Sequence, residues 1–192
     1  ASDVYKRQVL SSGSKEPTKT PLFGDGDFRS PECIEILKEA DIVVTNPPFS
    51  LFREYIAQLI QYEKKFSVIG SLNAVGYRDI FPLIKSHQIW ISSNNQHQFF
   101  RVPDDYDIGV TKVHADGCRY ATLGNIAWYT NLPIERKFTD LVLTESYSPD
   151  KYPRYDNYNA INVNKLSEIP CDYDGIMGVP VTFIAKYNPN QF

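Results

Sequence analysis

The stretch DIVVTNPPF, Asp41 to Phe49, joins a β-branched apolar run to a double proline. Ile42, Val43, Val44 and Thr45 follow one another without alternating polar positions, the pattern of a strand covered on both faces in a parallel sheet. Asn46-Pro47-Pro48 must end that strand, because each proline fixes its φ and lacks an N–H, and Pro48 also restricts Pro47. The residues predict a buried strand whose carboxyl end is a rigid turn, and in open α/β sheets that edge is where ligands bind. A plainer reading stays open beside it: a strand closed by a proline turn, since Asn-Pro commonly starts one.

Outward from this point the chain alternates. Upstream, Ser30 is placed to cap a helix over 31–39, with Pro31 in the favoured first turn and Ile34, Leu37 and Ala40 at helical spacing. Downstream, Ser50 offers an N-cap to an amphipathic helix over 51–65, in which Leu51, Tyr55, Leu59 and Tyr62 recur every three to four residues. A strand over 66–72 (FSVIGSL), a short helix over 78–87 carrying Ile80, Phe81 and Ile84, and a strand over 89–91 follow. Strand, helix, strand, helix, strand implies an α/β fold, mostly parallel, with helices on both faces of the sheet.

Beyond Ser92 the texture changes. Residues 92–110 are polar, rich in turn signals and without period, and 124–130 (GNIAWYT) reads as a hairpin or edge strand. The last part, 133–192, is punctuated by prolines and dense in tyrosine, with a strand expected over 179–185. Residues 1–21 have no apolar period and read as a loop, a tail or a non-native leader. Three segments result: the leader 1–21, a core 22–132, and a Tyr/Pro-rich part 133–192 expected to pack on that core.

Composition sets the outer limits. With 192 residues, 42% of them hydrophobic and 22% charged, the chain suits one domain rather than two. It contains no apolar run of membrane-spanning length and no signal-peptide pattern, so a cytoplasmic location is expected. Cys33, Cys118 and Cys171 are far apart and odd in number, against a disulfide framework, and His87, His97 and His114 lack metal-ligand spacing. Twenty Lys plus Arg against 23 Asp plus Glu give a net charge of −3, which excludes a histone-like binder but leaves room for a DNA enzyme with a local basic face.

An apolar strand ending in Asn-Pro-Pro-aromatic resembles the fourth motif of the adenine-N6 and related amino methyltransferases. From about Gly24 the chain resembles the EcoRI-type modification methylases, an adenine-specific DNA methyltransferase family. The resemblance rests on GDGDFRSPEC at 24–33, VTNPPFSLFREYI at 44–56, GNIAWYTNL at 124–132 and MGVPVTF at 177–183, and the residues up to about Thr20 do not share it. It implies a Rossmann-like S-adenosylmethionine-dependent methyltransferase fold and methyl transfer from S-adenosylmethionine to adenine N6 in DNA. It also implies a restriction-modification setting, in which double-stranded DNA with a flipped adenine and a cognate restriction endonuclease are the partners, and neither membrane nor metal takes part. Families of this kind carry a Gly-rich loop after the first strand and an acidic residue after the second. Before Asn46 this sequence has only Gly13, Gly24 and Gly26, so the expectation is an amino-terminally truncated fold without its first strands.

The motif suits its chemistry. The exocyclic amine of adenine is a poor nucleophile, because its lone pair is delocalised into the ring. If Asn46 Oδ1 and the Pro47 carbonyl each accept one N–H, the lone pair is left pointing in the third direction, where a methyl sulfonium can lie in line. Pro47 and Pro48 hold those acceptors rigid, and Phe49 is expected to stack on the extruded base. By resemblance Asp27 and Phe28, 19 and 18 positions before Asn46, contact the cofactor adenine through carboxylate and ring, with Asn46 beside them. Asp25 competes for the carboxylate role, and an ordinary Gly-Asp turn is the alternative.

Further residues carry two readings each. Asn73 lines a substrate pocket or ends a strand, and Trp128 and Tyr129 hold a flipped base or fill a core. Tyr147, Tyr152, Tyr155 and Tyr158, interleaved with Lys151 and Arg154, serve nucleic-acid stacking or pack on their own domain. The catalytic candidates are thus Asn46, Pro47, Pro48 and Phe49; the cofactor candidates Asp27, Phe28 and Asn46; and the substrate candidates Phe49, Asn73, Trp128 and Tyr129. Because the motif suits any planar NH2 group, the rival readings are methylation of RNA or of a protein glutamine amide, and a catalytically inactive DNA-contacting fragment.

Overall fold

The computed structural model describes residues 6–10, 13, 16–91, 99–106, 111–113, 117–122, 125–133 and 139–192. His97, His114 and Gly124 lie outside them. The chain divides into two compact units, 1–68 and 69–192.

The first unit opens with strands β1 (Lys6–Val9) and β2 (Thr18–Pro21), an antiparallel pair in which Lys6 faces Pro21 and Val9 faces Thr18. The opening residues thus form a hairpin where a loop or tail was expected, and Gly13 between the strands takes a left-handed φ of 86°. Helix α1 (Pro31–Glu39) follows, with Ser30 Oγ accepting the Cys33 N–H and Pro31 in the first turn, as the sequence predicts. Strand β3 (Ile42–Thr45), helix α2 (Phe52–Gln61) and strand β4 (Lys65–Ser71) complete a βαβ unit, with β3 and β4 parallel from Ile42↔Lys65 to Thr45↔Val68.

The core of this unit lies on one side of β4. Phe52, Ile56 and Leu59, spaced four and three apart on α2, and Phe66 and Val68 on β4 are all at most 1% exposed. Each such burial stabilises by about 1.5–3 kcal/mol. Strand β3 differs from expectation, because Ile42 and Val44 are 50% and 66% exposed. Among the described residues of the first unit it pairs only with β4, so it is an edge strand rather than a doubly covered one.

Helix α2 is also shorter than the predicted 51–65. A 3₁₀ turn, Phe49–Leu51, comes first, and Leu51 rather than Ser50 is the N-cap residue, without a side-chain cap. At the other end Glu63 adopts φ 52°, the Glu63 N–H donates to the Ile60 carbonyl and the Lys64 N–H to the Leu59 carbonyl. That is a Schellman stop, built on glutamate where glycine is usual.

In the second unit, which begins with the last three residues of β4, a 3₁₀ turn Leu72–Gly76 leads to helix α3 (Phe81–Lys85), shorter than the predicted 78–87. Ser86 caps it and His87 leaves in the left-handed region at φ 58°. Strand β5 (Trp90–Ile91) follows, and β6 (Phe99–Arg101), β7 (Thr111–Val113) and β8 (Arg119–Thr122) form a three-stranded antiparallel sheet in the order β6-β8-β7, of which β6 falls in the stretch 92–110 read as polar and without period. Strand β9 (Ile126–Thr130) is antiparallel to β5. The architecture among the described residues is therefore mixed α/β with several sheets.

The carboxyl-terminal part has a core of its own. Tyr152, Ile161, Val163 and Ile169 form it, with Leu143, Tyr147 and Phe183 packed around them. Strands β10 (Ile161–Asn162) and β11 (Met177–Gly178) pair in parallel there. The segment expected as a strand over 179–185 is instead a 3₁₀ helix, Val181–Lys186, opened by the Phe183 N–H donating to the Pro180 carbonyl. Phe183 on this helix packs against Tyr187 and Phe192, which follow it. Among the described residues no helix is long and apolar enough to cross a membrane.

Candidate active site

Two carboxylates shape the loop before α1. Asp25 Oδ1 accepts the Asp27 N–H at 3.1 Å, and Asp27 Oδ1 accepts the Arg29 N–H at 2.8 Å, two successive Asx turns. Gly26 between them has φ 74°, which a side chain rarely allows. This explains the GDGD spelling at 24–27 and separates the two acids: Asp25 folds the loop onto Asp27, and Asp27 binds Arg29.

The Arg29 guanidinium then closes on Asp27, Nε donating to Oδ1 at 2.9 Å and Nη2 to Oδ2 at 2.6 Å. These side-chain hydrogen bonds, joined by the Arg29 backbone N–H, hold the Asp27 carboxyl down at about 2, so it is an anion at any ordinary pH. Phe28 meets Tyr55 of α2 edge to face, with ring centroids 5.0 Å apart at 80°.

On the opposite wall stands the turn after β3. Asn46 is exposed and Pro47 is buried. The Pro48 carbonyl accepts the Leu51 N–H at 3.0 Å and starts the 3₁₀ turn, so it is spent on structure. The Asn46 amide oxygen and the Pro47 carbonyl, the pair expected to hold an amine, lie outside that bond.

Asp25, Asp27, Phe28, Asn46, Pro47 and Pro48 line one cleft of about 420 Å³, together with Gly26, Thr45, Leu51 and Tyr55. The structure thus brings the expected cofactor pair and three of the four expected catalytic residues to one place within the first unit. Phe49 is not in the lining and its side chain is 44% exposed. Leu51 and Tyr55 were readable only as part of an apolar helix stripe. In the structure that stripe divides: Leu59 joins Phe52 and Ile56, which lay outside it, in the core, while Leu51 and Tyr55 line the cleft.

The remaining candidates belong to the second unit. The Asn73 side chain is exposed, and its backbone N–H caps onto Ser71 Oγ at 3.2 Å. Trp128 is half-buried, while Tyr129 is fully buried and donates its hydroxyl to the Ser71 carbonyl at 2.8 Å. Burial pushes the Tyr129 phenol well above its ordinary pKa. Of the tyrosine cluster, Tyr152 is 2% exposed and donates to the Glu168 carbonyl, Tyr147 stacks on it, and Tyr155 and Tyr158 face outward.

The family sequence model described as Adenine-specific methyltransferase EcoRI matches residues 4–192. The chain belongs to this family. Its curated relatives include Type II methyltransferase M.EcoRI of Escherichia coli, 50% identical over 175 residues, which are 88% of this chain and 54% of that protein. Type II methyltransferase M.MgeORF184P of Mycoplasma genitalium is 44% identical, over 91% of this chain and 57% of its own length. Type II methyltransferase M.MpnI of Mycoplasma pneumoniae is 41% identical, over 95% and 60% respectively. The chain therefore spans a little over half the length of these EcoRI-type relatives. No solved structure matches it. The family match starts at residue 4, so the hairpin of β1 and β2 falls inside it.

Proposed function

We propose that this chain carries the amine-accepting turn and the adenosine wall of an S-adenosylmethionine-dependent adenine-N6 DNA methyltransferase with a Rossmann-like fold. One observation carries the reading: the Asn46-Pro47-Pro48 turn and the Asp27-Phe28 pair line the same cleft. Its volume falls in the ~300–1,000 Å³ range of small-molecule sites. The lining fits a purine nucleoside. Phe28 brings an aromatic ring to the lining, and the Asp27 carboxylate, held as an anion near neutral pH by Arg29, is an acceptor for an exocyclic amine.

In this reading Asn46 Oδ1 and the Pro47 carbonyl each accept one N–H of the target amine, which pyramidalises the nitrogen and directs its lone pair into the cleft. When bound, S-adenosylmethionine supplies an electrophilic methyl group on a sulfonium. The Asp27-Phe28 pair would hold the cofactor's adenine, while Asn46 and Pro47 would keep the amine nitrogen aimed at the methyl it supplies and the amine would give up one proton to water. Alignment does most of the work, and no general base of tuned pKa is needed. The family description and the names of the relatives support adenine and the Type II setting. The substrate proposed is double-stranded DNA with the target adenine flipped out, in a cytoplasmic restriction-modification pair with an endonuclease.

The test incubates the chain with labelled S-adenosylmethionine and unmethylated duplex DNA, RNA and protein in parallel, then resolves the digested products. Labelled N6-methyladenine from DNA supports the reading. Label in RNA or in a glutamine amide replaces the substrate, and no transfer combined with no cofactor binding overturns the reading in favour of an inactive module.

A further inference from the structure

Arg29 does not line the cleft, yet it touches Asp27 and Phe28, which do. Its guanidinium grips both Asp27 oxygens, at 2.9 and 2.6 Å, and extends Nη1 to Glu54 Oε2 on α2 at 3.0 Å. It also lies over the Phe28 ring, 5.4 Å from the centroid. The same helix holds Phe28 twice more, through the Tyr55 edge contact and through Gln58 Nε2, which donates to the Phe28 carbonyl at 2.9 Å. Helix α2 in turn begins directly at the 3₁₀ turn that follows Asn46-Pro47-Pro48. Both walls of the cleft are therefore referenced to one helix.

We propose that Arg29 is a positioning residue for cofactor binding: bridging Asp27 and Phe28 to Glu54 of α2, it fixes the adenosine wall of the cleft at a set distance from the Asn46-Pro47-Pro48 turn. The proposal rests on the methyltransferase reading and adds to it a residue that touches neither substrate nor cofactor. Arginine is required rather than a generic cation. Its planar fork spans two carboxylates and a ring face at once, whereas lysine offers a single point of charge. Without the bridge the loop at 25–28 keeps its Asx turns, the Ser30 N–H bond to the Asp27 carbonyl and the Phe28 contacts, and the Asp27 carboxylate is held by the backbone N–H of residue 29 without its side-chain partner. The loss falls on binding of the ground state and of the transition state alike, so it appears in KM for the cofactor and not in kcat.

The test compares wild type, Arg29→Ala, Arg29→Lys and Glu54→Gln. It measures S-adenosylmethionine binding by calorimetry, KM and kcat for methyl transfer to DNA, and the Asp27 carboxyl titration by carbon NMR. For Arg29→Ala the expected result is a rise of about tenfold in KM, the effect of one lost charge-assisted hydrogen bond, with kcat within about twofold. Arg29→Lys restores part of the affinity, and Glu54→Gln shifts KM by no more than about threefold because that pair is exposed. The Asp27 titration moves up toward the ordinary carboxylate range in Arg29→Ala, a readout that requires no cofactor. An unchanged KM, or activity that falls only in proportion to the folded fraction, overturns the proposal while leaving the methyltransferase reading intact. A wild-type chain that neither binds the cofactor nor transfers methyl overturns that reading, and the role of Arg29 with it.

Discussion

The Lys64 ammonium donates to the Lys38 carbonyl at 2.7 Å, and to the Ala40 carbonyl at 3.0 Å, so a residue beyond the end of α2 caps the end of α1. The carboxyl end of a helix leaves carbonyls without partners and carries partial negative charge, and a cation there answers both. Lys64→Met keeps the aliphatic stem and removes the donors. It is expected to cost about 1–2 kcal/mol, read as a lower urea midpoint at unchanged slope.

Glu63 sits beside this cap in the left-handed region at φ 52°, where an L side chain is strained. Glu63→Gly relieves the strain and loosens the unfolded chain, with a net gain of about 0.5–1 kcal/mol expected. A melting temperature equal to or below that of wild type would contradict this.

Asn46→Ala removes the amide expected to hold the target amine but buries and exposes nothing else, since Asn46 is already exposed. Methyl transfer is expected to fall by about 10²–10³-fold, the scale for losing one aligned transition-state partner, with stability within about 0.5 kcal/mol of wild type. Turnover near the wild-type value would refute the geometry proposed for the amine.

Tyr129→Phe separates core from substrate roles. The hydroxyl donates to the Ser71 carbonyl, and deleting it leaves that acceptor short of a partner at a cost of about 1–2 kcal/mol. With Tyr129 fully buried, methyl transfer by the folded fraction is expected to stay at the wild-type level.

The Asp27–Arg29 pair gives a pH dependence of known sign. The Asp27 carboxyl is held at about 2, below its ordinary 3.8. A carboxyl depressed in the folded state contributes stability that is fully present above its unfolded pKa and is lost as pH falls through the folded one, here between about pH 4 and pH 2. The pair is exposed, so the contribution is small. Urea midpoints followed through that interval should fall more steeply for wild type than for Asp27→Asn, and parallel curves would remove the pair as a source of acid sensitivity.

What was legible in the sequence follows the strength of its local signals. Ser30, Pro31 and the periodic Ile34 and Leu37 mark α1 at its observed residues, because caps and period agree. The Asn-Pro-Pro turn was legible because proline acts without tertiary help. Helix α2 was legible in kind but not in face: Leu51, Tyr55 and Leu59 repeat as well as Phe52, Ile56 and Leu59, and only packing decides which stripe enters the core. The exposure of Val44 was hidden, since a β-branched run looks alike on an edge or in the middle of a sheet. Arg29 was illegible as well. Its role depends on Glu54, 25 positions away, and no local pattern announces a partner at that distance.

Pro47 and Pro48 together remove two consecutive backbone donors from the wall of the cleft. Along that span the main chain offers lone pairs and nothing else. A ligand edge bearing a carbonyl meets like with like there and leaves both oxygens unsatisfied, whereas an NH2 group finds acceptors. The backbone of the turn thus disfavours a carbonyl edge by omission, a selectivity that works beside the Asn46 amide and that substitutions elsewhere in the cleft leave in place.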